Sequence, residues 1–319
     1  MAVQTQQGKA FEYACLKALY HDLSDMQEMV IEDSDALETA RRFYKELDTV
    51  AIHKMDKGAR AAVKIVKRLE PLLENPDDNT PLYLAIQEDA KGKSGDVRDI
   101  VCIRKQNGWE IGFSCKHNHT AVKHSRLSQT IDFGKQWFGK ACSQAYFVEI
   151  SPVFQRLLMY RIALKKWEGL TDKENIAYVP ILSAFMKELK RLDKKYPEVI
   201  PGELVQYLLG RNDFYKIITD ESRNITTIQA YNLFGTLNQA SKKVKPIQKV
   251  HQLLLPTKFY DISYKKGSRT TIIVTCDGGW SFSFRIHNAS KAVEPSLKFD
   301  IQLTGIPPQL HTQVEPWKN

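Results

Sequence analysis

Asp99 and Lys116 are the residues whose types and spacing most directly suggest chemistry. Asp99 opens a β-branched run, Ile100 to Ile103, and Lys116 lies near the end of a second extended run that follows Asn107-Gly108. Asn-Gly between two such runs is a strong hairpin signal, because the tightest turns need positive φ at both central residues. Folding the hairpin brings the Asp99 end of one strand to the Lys116 end of the other. A carboxylate beside an ammonium at adjacent strand ends is equipped for metal-dependent phosphodiester hydrolysis. The carboxylate holds a divalent ion, and the ammonium orients a water or offsets charge on the phosphate. Alternation of faces puts Glu110, Gly112, Ser114 and Lys116 on one side of the second strand, and Ile111, Phe113 and Cys115 on the core side. A lysine that merely snorkels to solvent is the alternative.

The elements that position this hairpin follow from apolar spacing. Gly8 to Leu23 carries Phe11, Ala14, Cys15, Ala18 and Leu19 at helical intervals, and Ser34 to Val50 and Gly58 to Leu73 read as further helices. Asn75 to Pro81 is a polar loop. After the hairpin, Thr120 to Phe138 reads as a helix, Ala145 to Ile150 as a short strand before Pro152, and Val153 to Lys166 and Ile181 to Lys195 as helices. Tyr196-Pro197 and Ile200-Pro201-Gly202 suggest a boundary. Beyond residue 256 the pattern turns to strands: Phe259 to Tyr264, Thr270 to Cys276, Trp280 to Ile286 and Leu297 to Leu303, with a turn at Asp277-Gly278-Gly279. The tail after Pro307 reads as loosely ordered. The expectation is an α/β protein with a mixed central sheet flanked by helices and a β-rich C-terminal region. Its core spans residues 1–200, followed by a C-terminal region, 201–319.

Composition narrows the partners. The chain has 319 residues, enough to bury a large core, and its 43% hydrophobic content excludes a disordered protein. A net charge of +9 favours an anionic partner such as nucleic acid. Five cysteines, with no CxxC pair and no signal peptide, point to reduced thiols in the cytoplasm. No apolar run approaches a membrane span. Cys115, His117 and His119 lack a second ligand pair at zinc spacing. Asn118 shares the lysine's face and is placed to touch DNA. Lys123, His124 and Arg126 supply a basic face to line a phosphate backbone. Near the C-terminus Arg285, His287 and Asn288 end an alternating strand, with Lys291 just beyond. Arginine and lysine pair well with guanine O6 and N7 in the major groove. Solvated polar residues at an ordinary strand end are the alternative.

The Asp99–Lys116 arrangement resembles the PD-(D/E)xK nuclease core, in which an aspartate opens one strand and an acidic-x-Lys motif lies on the next. That resemblance makes Asp99 a metal ligand and Lys116 the catalytic lysine, and it places Ser114 where a carboxylate is usual. Glu110 lies about 13 Å away along an extended strand, too far to coordinate beside Asp99. Glu12 on the first helix is the better second ligand, since nucleases of this class often place a glutamate there. Asp96 is a further candidate, with a turn-capping role as its alternative. The blocks from Glu110 to His119, Ala121 to Ser128, Ser283 to Ser290 and Val293 to Asp300, which include Lys298, resemble the HaeIII family of type II restriction endonucleases, from Gly8 to about Pro307. This resemblance implies Mg²⁺-dependent double-strand cleavage at a short palindromic site, GGCC with blunt ends. It implies a serine at position 114 as the family's own pattern. A palindrome is most simply read by a homodimer, and a cognate DNA methyltransferase is the expected functional partner. A structure-specific or repair nuclease, and a DNA-binding protein without catalysis, are the competing readings.

Overall fold

The computed structural model describes residues 3–74, 80–88, 95–117 and 122–318. It is a mixed α/β structure that divides into two compact units. The first comprises residues 1–120, 210–253 and 309–319, and the second residues 121–209 and 254–308. A single cut near residue 200 therefore does not separate them: the stretches 210–253 and 309–319 belong with the N-terminal unit.

The first unit is built on a seven-stranded mixed sheet. Its strands are β1 (Met29–Ile31), β2 (Leu82–Ile86), β3 (Ile100–Arg104), β4 (Trp109–His117), β6 (Phe214–Asp220), β7 (Ile225–Tyr231) and β12 (His311–Pro316), in that spatial order. The expected hairpin is present. β3 and β4 pair antiparallel with Ile100 opposite Phe113. At the turn the Asn107 side chain accepts from the Trp109 N–H at 3.0 Å, and Gly108 takes a φ of +68°. β6 then joins β4 in parallel, with Lys216 opposite Ser114.

Helices α1 (Val3–Leu23), α2 (Asp35–Lys45) and α3 (Thr49–Leu69) serve this unit. Two of them begin where capping side chains occur. Ser34 accepts from the Leu37 N–H at 3.1 Å, and Asp48 accepts from the Ala51 N–H at 2.8 Å. The expected helix over Ser34 to Val50 is thus two elements, because the Asp48 cap starts a new one nine residues before Gly58 could. Phe11, Ala14 and Cys15 of α1 share one core with Ile111, Phe113, Cys115, Tyr215 and Ile217 of the sheet. Pro71–Glu74 forms a further helical turn, α4. Its Leu72 and Leu73 carbonyls accept from the fully buried Arg104 guanidinium at 2.9 and 3.2 Å. The tail after Pro307 is ordered: β12 pairs antiparallel with β7, and buried Trp317 donates to Thr226 Oγ1 at 2.9 Å.

The second unit holds a five-stranded antiparallel sheet in the order β5 (Arg126–Ser128), β11 (Ser296–Gly305), β10 (Ser281–His287), β9 (Thr271–Cys276) and β8 (Phe259–Tyr264). Its helices are α5 (Phe133–Phe138), α6 (Gln144–Ile162), α7 (Val179–Lys195) and α8 (Ile200–Leu209). Phe284 and Phe299 of the sheet meet Trp137 and Phe185 of the helices in an aromatic core. Two expectations fail here. The segment expected as a helix over Thr120 to Phe138 contains a short strand, because residues 126–128 pair with the distant β11: Leu127 faces inward opposite Leu297. The expected strand Ala145 to Ile150 is the first half of α6, started by Ser143, whose hydroxyl accepts from the Tyr146 N–H at 3.2 Å. Pro152 lies inside that helix.

Candidate active site

Asp99 is held by its backbone before its side chain does anything. Its N–H donates to Phe113 O at 2.7 Å, and its carbonyl accepts from the Gln87 N–H at 2.9 Å, so it extends β3 across three strands. Its Oδ2 accepts from the Cys115 N–H at 2.6 Å and from Ser114 Oγ and Lys116 Nζ, both at 3.4 Å. The hairpin therefore brings the carboxylate and the ammonium together, as the sequence predicts.

Glu12 reaches the same place from α1. It is buried and accepts from Lys9 Nζ at 3.1 Å. Burial, with the nearby Asp99 charge adding to it, pushes the Glu12 carboxyl up to about 8, against the pull of Lys9 and Lys116. Burial draws the Lys116 ammonium down, but Asp99 and, further down the order, Glu12 outweigh it and hold its pKa above the ordinary lysine value. Asp96 goes elsewhere. It forms a fork with Arg98, at 2.8 Å to Nε and 2.7 Å to Nη2, and takes a 3.1 Å bond from Gln87. The Arg98 stem in turn lies over Gly112, where an added Cβ would stand 2.0 Å from Arg98 Cδ. Glu110 bonds Arg98 Nη1 at 2.7 Å.

Two carboxylates close enough to raise one of them carry an electrostatic cost that a divalent cation removes. The bonds described above fall on Asp99 Oδ2 and Glu12 Oε2. Among the described residues, no group of three or more His, Cys, Asp and Glu side chains is arranged to hold a metal. Two carboxylates, with water and phosphate completing the shell, suit Mg²⁺ chemistry and not a closed protein cage. His117 has a structural setting. Its buried ring lies 3.2 Å from Thr219 Oγ1 and 3.1 Å from Glu221 Oε1. Asn118 and His119 lie outside the described residues.

Lys216 escaped the sequence reading. It sits opposite Ser114 on β6, buried, and burial with repulsion from Lys116 pulls its ammonium down to about 8. The signal was present in two β-branched runs, Ile217-Ile218-Thr219 and Ile225-Thr226-Thr227-Ile228, around a polar turn.

The expected DNA-contacting residues other than Asn118 all fall in the second unit. Lys123 is not on a helix. It bridges to Ile301, and its Nζ donates to Tyr207 O at 2.9 Å over the Tyr207 ring. Arg126, Lys298 and His287 form one row across three strands, since Lys298 pairs with both neighbours. Arg285 pairs with Asp300 in the next row of that face and reaches its carboxylate at 3.3 Å, with His124 3.8 Å from the other oxygen. Arg126 is also tied to Glu294 at 2.6 Å. Asn288 spends its amide inside its own loop, donating to Ser290 O and Ala292 O and accepting from the Glu294 N–H. Lys291 is exposed beyond it.

A site-specific deoxyribonuclease, a restriction endonuclease, is the class to which this fold and its relatives belong. The model of the HaeIII restriction endonuclease family matches residues 8–307, and the chain belongs to that family. It is 43% identical over 311 residues to the type II restriction enzyme HaeIII of Haemophilus aegyptius, covering 98% of this chain and 97% of that enzyme. No solved structure matches the chain significantly. The family expectation from the sequence is borne out, with double-stranded DNA as substrate and a divalent metal as the general requirement of type II enzymes. Among the described residues no helix is long and apolar enough to cross a membrane.

Proposed function

We propose that the chain makes Mg²⁺-dependent double-strand cuts at a short palindromic site, GGCC with blunt ends, using a PD-(D/E)xK-type core in the first unit. The observation that carries this reading is the convergence of Glu12, Asp99 and Lys116 from three separate elements. Asp99 and Glu12 are the residues to hold Mg²⁺. When bound, the ion supplies positive charge to the scissile phosphate and makes water more acidic. Lys116 orients the attacking water and offsets charge on the phosphate oxygens as the new oxygen–phosphorus bond forms and the opposite one breaks. Ser114 and the Cys115 N–H hold the Asp99 carboxylate through Oδ2, and the carboxylate so held would bind the ion.

The second unit reads the site. Arg285, His287 and Lys298 offer donors to guanine edges, and Arg126, His124, Lys123 and Lys291 add positive charge toward the backbone. Asn288 shapes the loop that carries Lys291. Two copies related by a two-fold axis cut one strand each, in the cytoplasm, and a cognate methyltransferase protects host sites. The test is digestion of a sequenced, unmethylated plasmid with Mg²⁺ or with EDTA, followed by end mapping. Discrete blunt ends at GGCC that need Mg²⁺ are expected. A smear, or binding without cleavage, overturns the proposal.

A further inference from the structure

The first unit concentrates positive charge in the segment that follows β7. No Asp or Glu occurs from Ser222 to Leu253, while Lys242, Lys243, Lys245 and Lys249 fall within eight residues. All four lysines are exposed, as are Val244 and Ile247 between them, Ile247 at 77%. Among the described residues, Lys243, Lys245 and Lys249 form no ion pair. Blocks of like charge are commonly disordered, but this one is tied down through its backbone. Ser241 Oγ accepts from the N–H groups of Lys243 at 3.3 Å and Val244 at 3.0 Å, and the Ser241 N–H donates to Val244 O at 2.9 Å. Asn238 donates to Gln248 O at 3.0 Å and accepts from the Val250 N–H at 2.9 Å. The Ile247 N–H donates to Arg68 O at 3.1 Å, which seats the loop on the C-terminal end of α3. Glu70, beside that end, is buried and bonded to Tyr215 OH and the Asn238 N–H.

Like charges held together in a fixed turn repel, and an anion relieves the repulsion. Spread along an exposed turn, these charges match a polyanion whose phosphates are similarly spread, and the apolar side chains between them match its sugars. Ordering the turn in advance lowers the cost of binding. Lysines act as point charges, so they hold phosphates without choosing bases. The loop's place along α3 sets which DNA it reaches. Gly58 of α3 packs on Thr219, where an added Cβ would stand 2.7 Å from Thr219 Cγ2, and Thr219 Oγ1 lies 3.2 Å from the ring of His117, the neighbour of Lys116. Arg68 is ten residues further along α3, about 15 Å at the rise of a helix. Four base pairs span about 14 Å of duplex. A duplex that touches both Lys116 and the loop therefore extends beyond a short recognised sequence.

We propose that residues 241–249 of the first unit form a further DNA-binding surface, which holds the phosphate backbone of duplex lying outside the cleaved sequence. It supplies sequence-independent affinity to the unit that also carries Asp99 and Lys116. The placement outside the cleaved sequence rests on Lys116 marking the nuclease site. The charge pattern itself needs only duplex DNA as the substrate.

The test uses the full chain and two duplexes centred on the cleaved site, one of about 8 base pairs, reaching about 14 Å from its centre, and one of about 40. Binding is measured in EDTA. The unaltered protein is expected to bind the long duplex more tightly and with the steeper salt dependence. Lys243→Gln, Lys245→Gln and Lys249→Gln, made together, should weaken binding to the long duplex about tenfold and lower the slope of log K against log salt by about 3. Lys242, which has a contact of its own, stays in place. On the short duplex the variant should match the unaltered protein in affinity and, with Mg²⁺, in kcat. Hydroxyl-radical footprinting of the long duplex should show backbone protection outside the site that the variant loses. Equal weakening on both duplexes overturns the proposal, since the lysines would then act through the overall field of the protein. An unchanged slope or footprint overturns it, as does a loss of kcat on the short duplex. So does an unaltered protein that binds both duplexes alike, a result that needs no variant to fold. Asp99→Ala is run alongside. If it cuts, the nuclease site is misplaced; if it is inactive while the triple variant binds the long duplex normally, only the loop assignment falls.

Discussion

The two sheets of this protein handle charge in opposite ways. In the first unit, Glu12, Asp99, Lys116 and Lys216 are drawn into the protein, and burial pushes the Glu12 carboxyl up to about 8 and the Lys216 ammonium down to about 8. In the second unit, Arg126 and Arg285 stand exposed on a sheet face, each beside an acid, Glu294 or Asp300. A buried group is fixed and strongly coupled to its neighbours, which suits a reaction that happens at one atom. An exposed ion pair is weakly coupled and easily exchanged for a new partner, which suits a surface that must trade its own contacts for those of a base. On the proposed reading, chemistry and recognition thus call for opposite solvation from the same residue types.

The sharpest way to break that comparison is to remove a charge from each sheet. Asp99→Ala or Lys116→Ala should lower cleavage by about 1,000-fold or more while leaving site-specific binding in place. Plasmid digestion and gel-shift titration, run in parallel, would show whether cleavage and binding separate. Chelating the metal with EDTA should have the same consequence for the unaltered protein: no cuts, retained complex, and full recovery on adding Mg²⁺.

A smaller effect is expected on the second sheet. Arg285→Ala should cost about 1–3 kcal/mol of binding and relax choice at one base position. Lys291→Ala should weaken binding to all sequences alike and reduce the slope of log K against log salt by about 1. Binding isotherms across a salt series on cognate and single-mismatch duplexes distinguish the two behaviours. If both variants lost affinity uniformly, the sheet would be a backbone clamp and not a reader.

The smallest effect concerns a buried acid away from the reaction. Glu70 accepts from Tyr215 OH and the Asn238 N–H, both at 2.6 Å, and burial pushes its carboxyl up to about 7 against those bonds. A carboxyl raised on folding contributes stability that is complete below the ordinary glutamate range and lost as pH rises through about 7. Glu70→Gln should flatten that decline by on the order of 1 kcal/mol. Denaturant titrations at several pH values would show it, with no change in DNA choice.

Much of the site was legible in the sequence because it is local. Asp99 and Lys116 are joined by a tight turn whose Asn-Gly signal is explicit, whereas Glu12, distant in sequence, was named only through the resemblance to nucleases that place a glutamate on the first helix. Most of what failed was non-local. Arg126 bonds Ser296, 170 residues further on, so the strand at 126–128 has no partner that its own neighbourhood reveals. Three paired residues are also too few to impose a visible alternation. Lys216 was missed for the same reason: β4 and β6 are parallel, and parallel neighbours need a long crossover that no short-range pattern announces. The segment 145–150 misled because an apolar run before a proline resembles a strand end, and only the Ser143 cap decides for a helix.

The way the chain alternates between its two units has a practical consequence for engineering. The second unit is supplied as two separate insertions, residues 121–209 and 254–308, into a first unit that contributes everything before, between and after them. Exchanging the proposed base-reading part between relatives therefore cannot be done with one crossover point. It needs a double graft with four junctions, at 120/121, 209/210, 253/254 and 308/309. A chimera made with a single splice would interrupt the seven-stranded sheet along with the part it meant to replace. New specificities in this lineage are accordingly more accessible by point changes on the exposed sheet face than by shuffling whole modules.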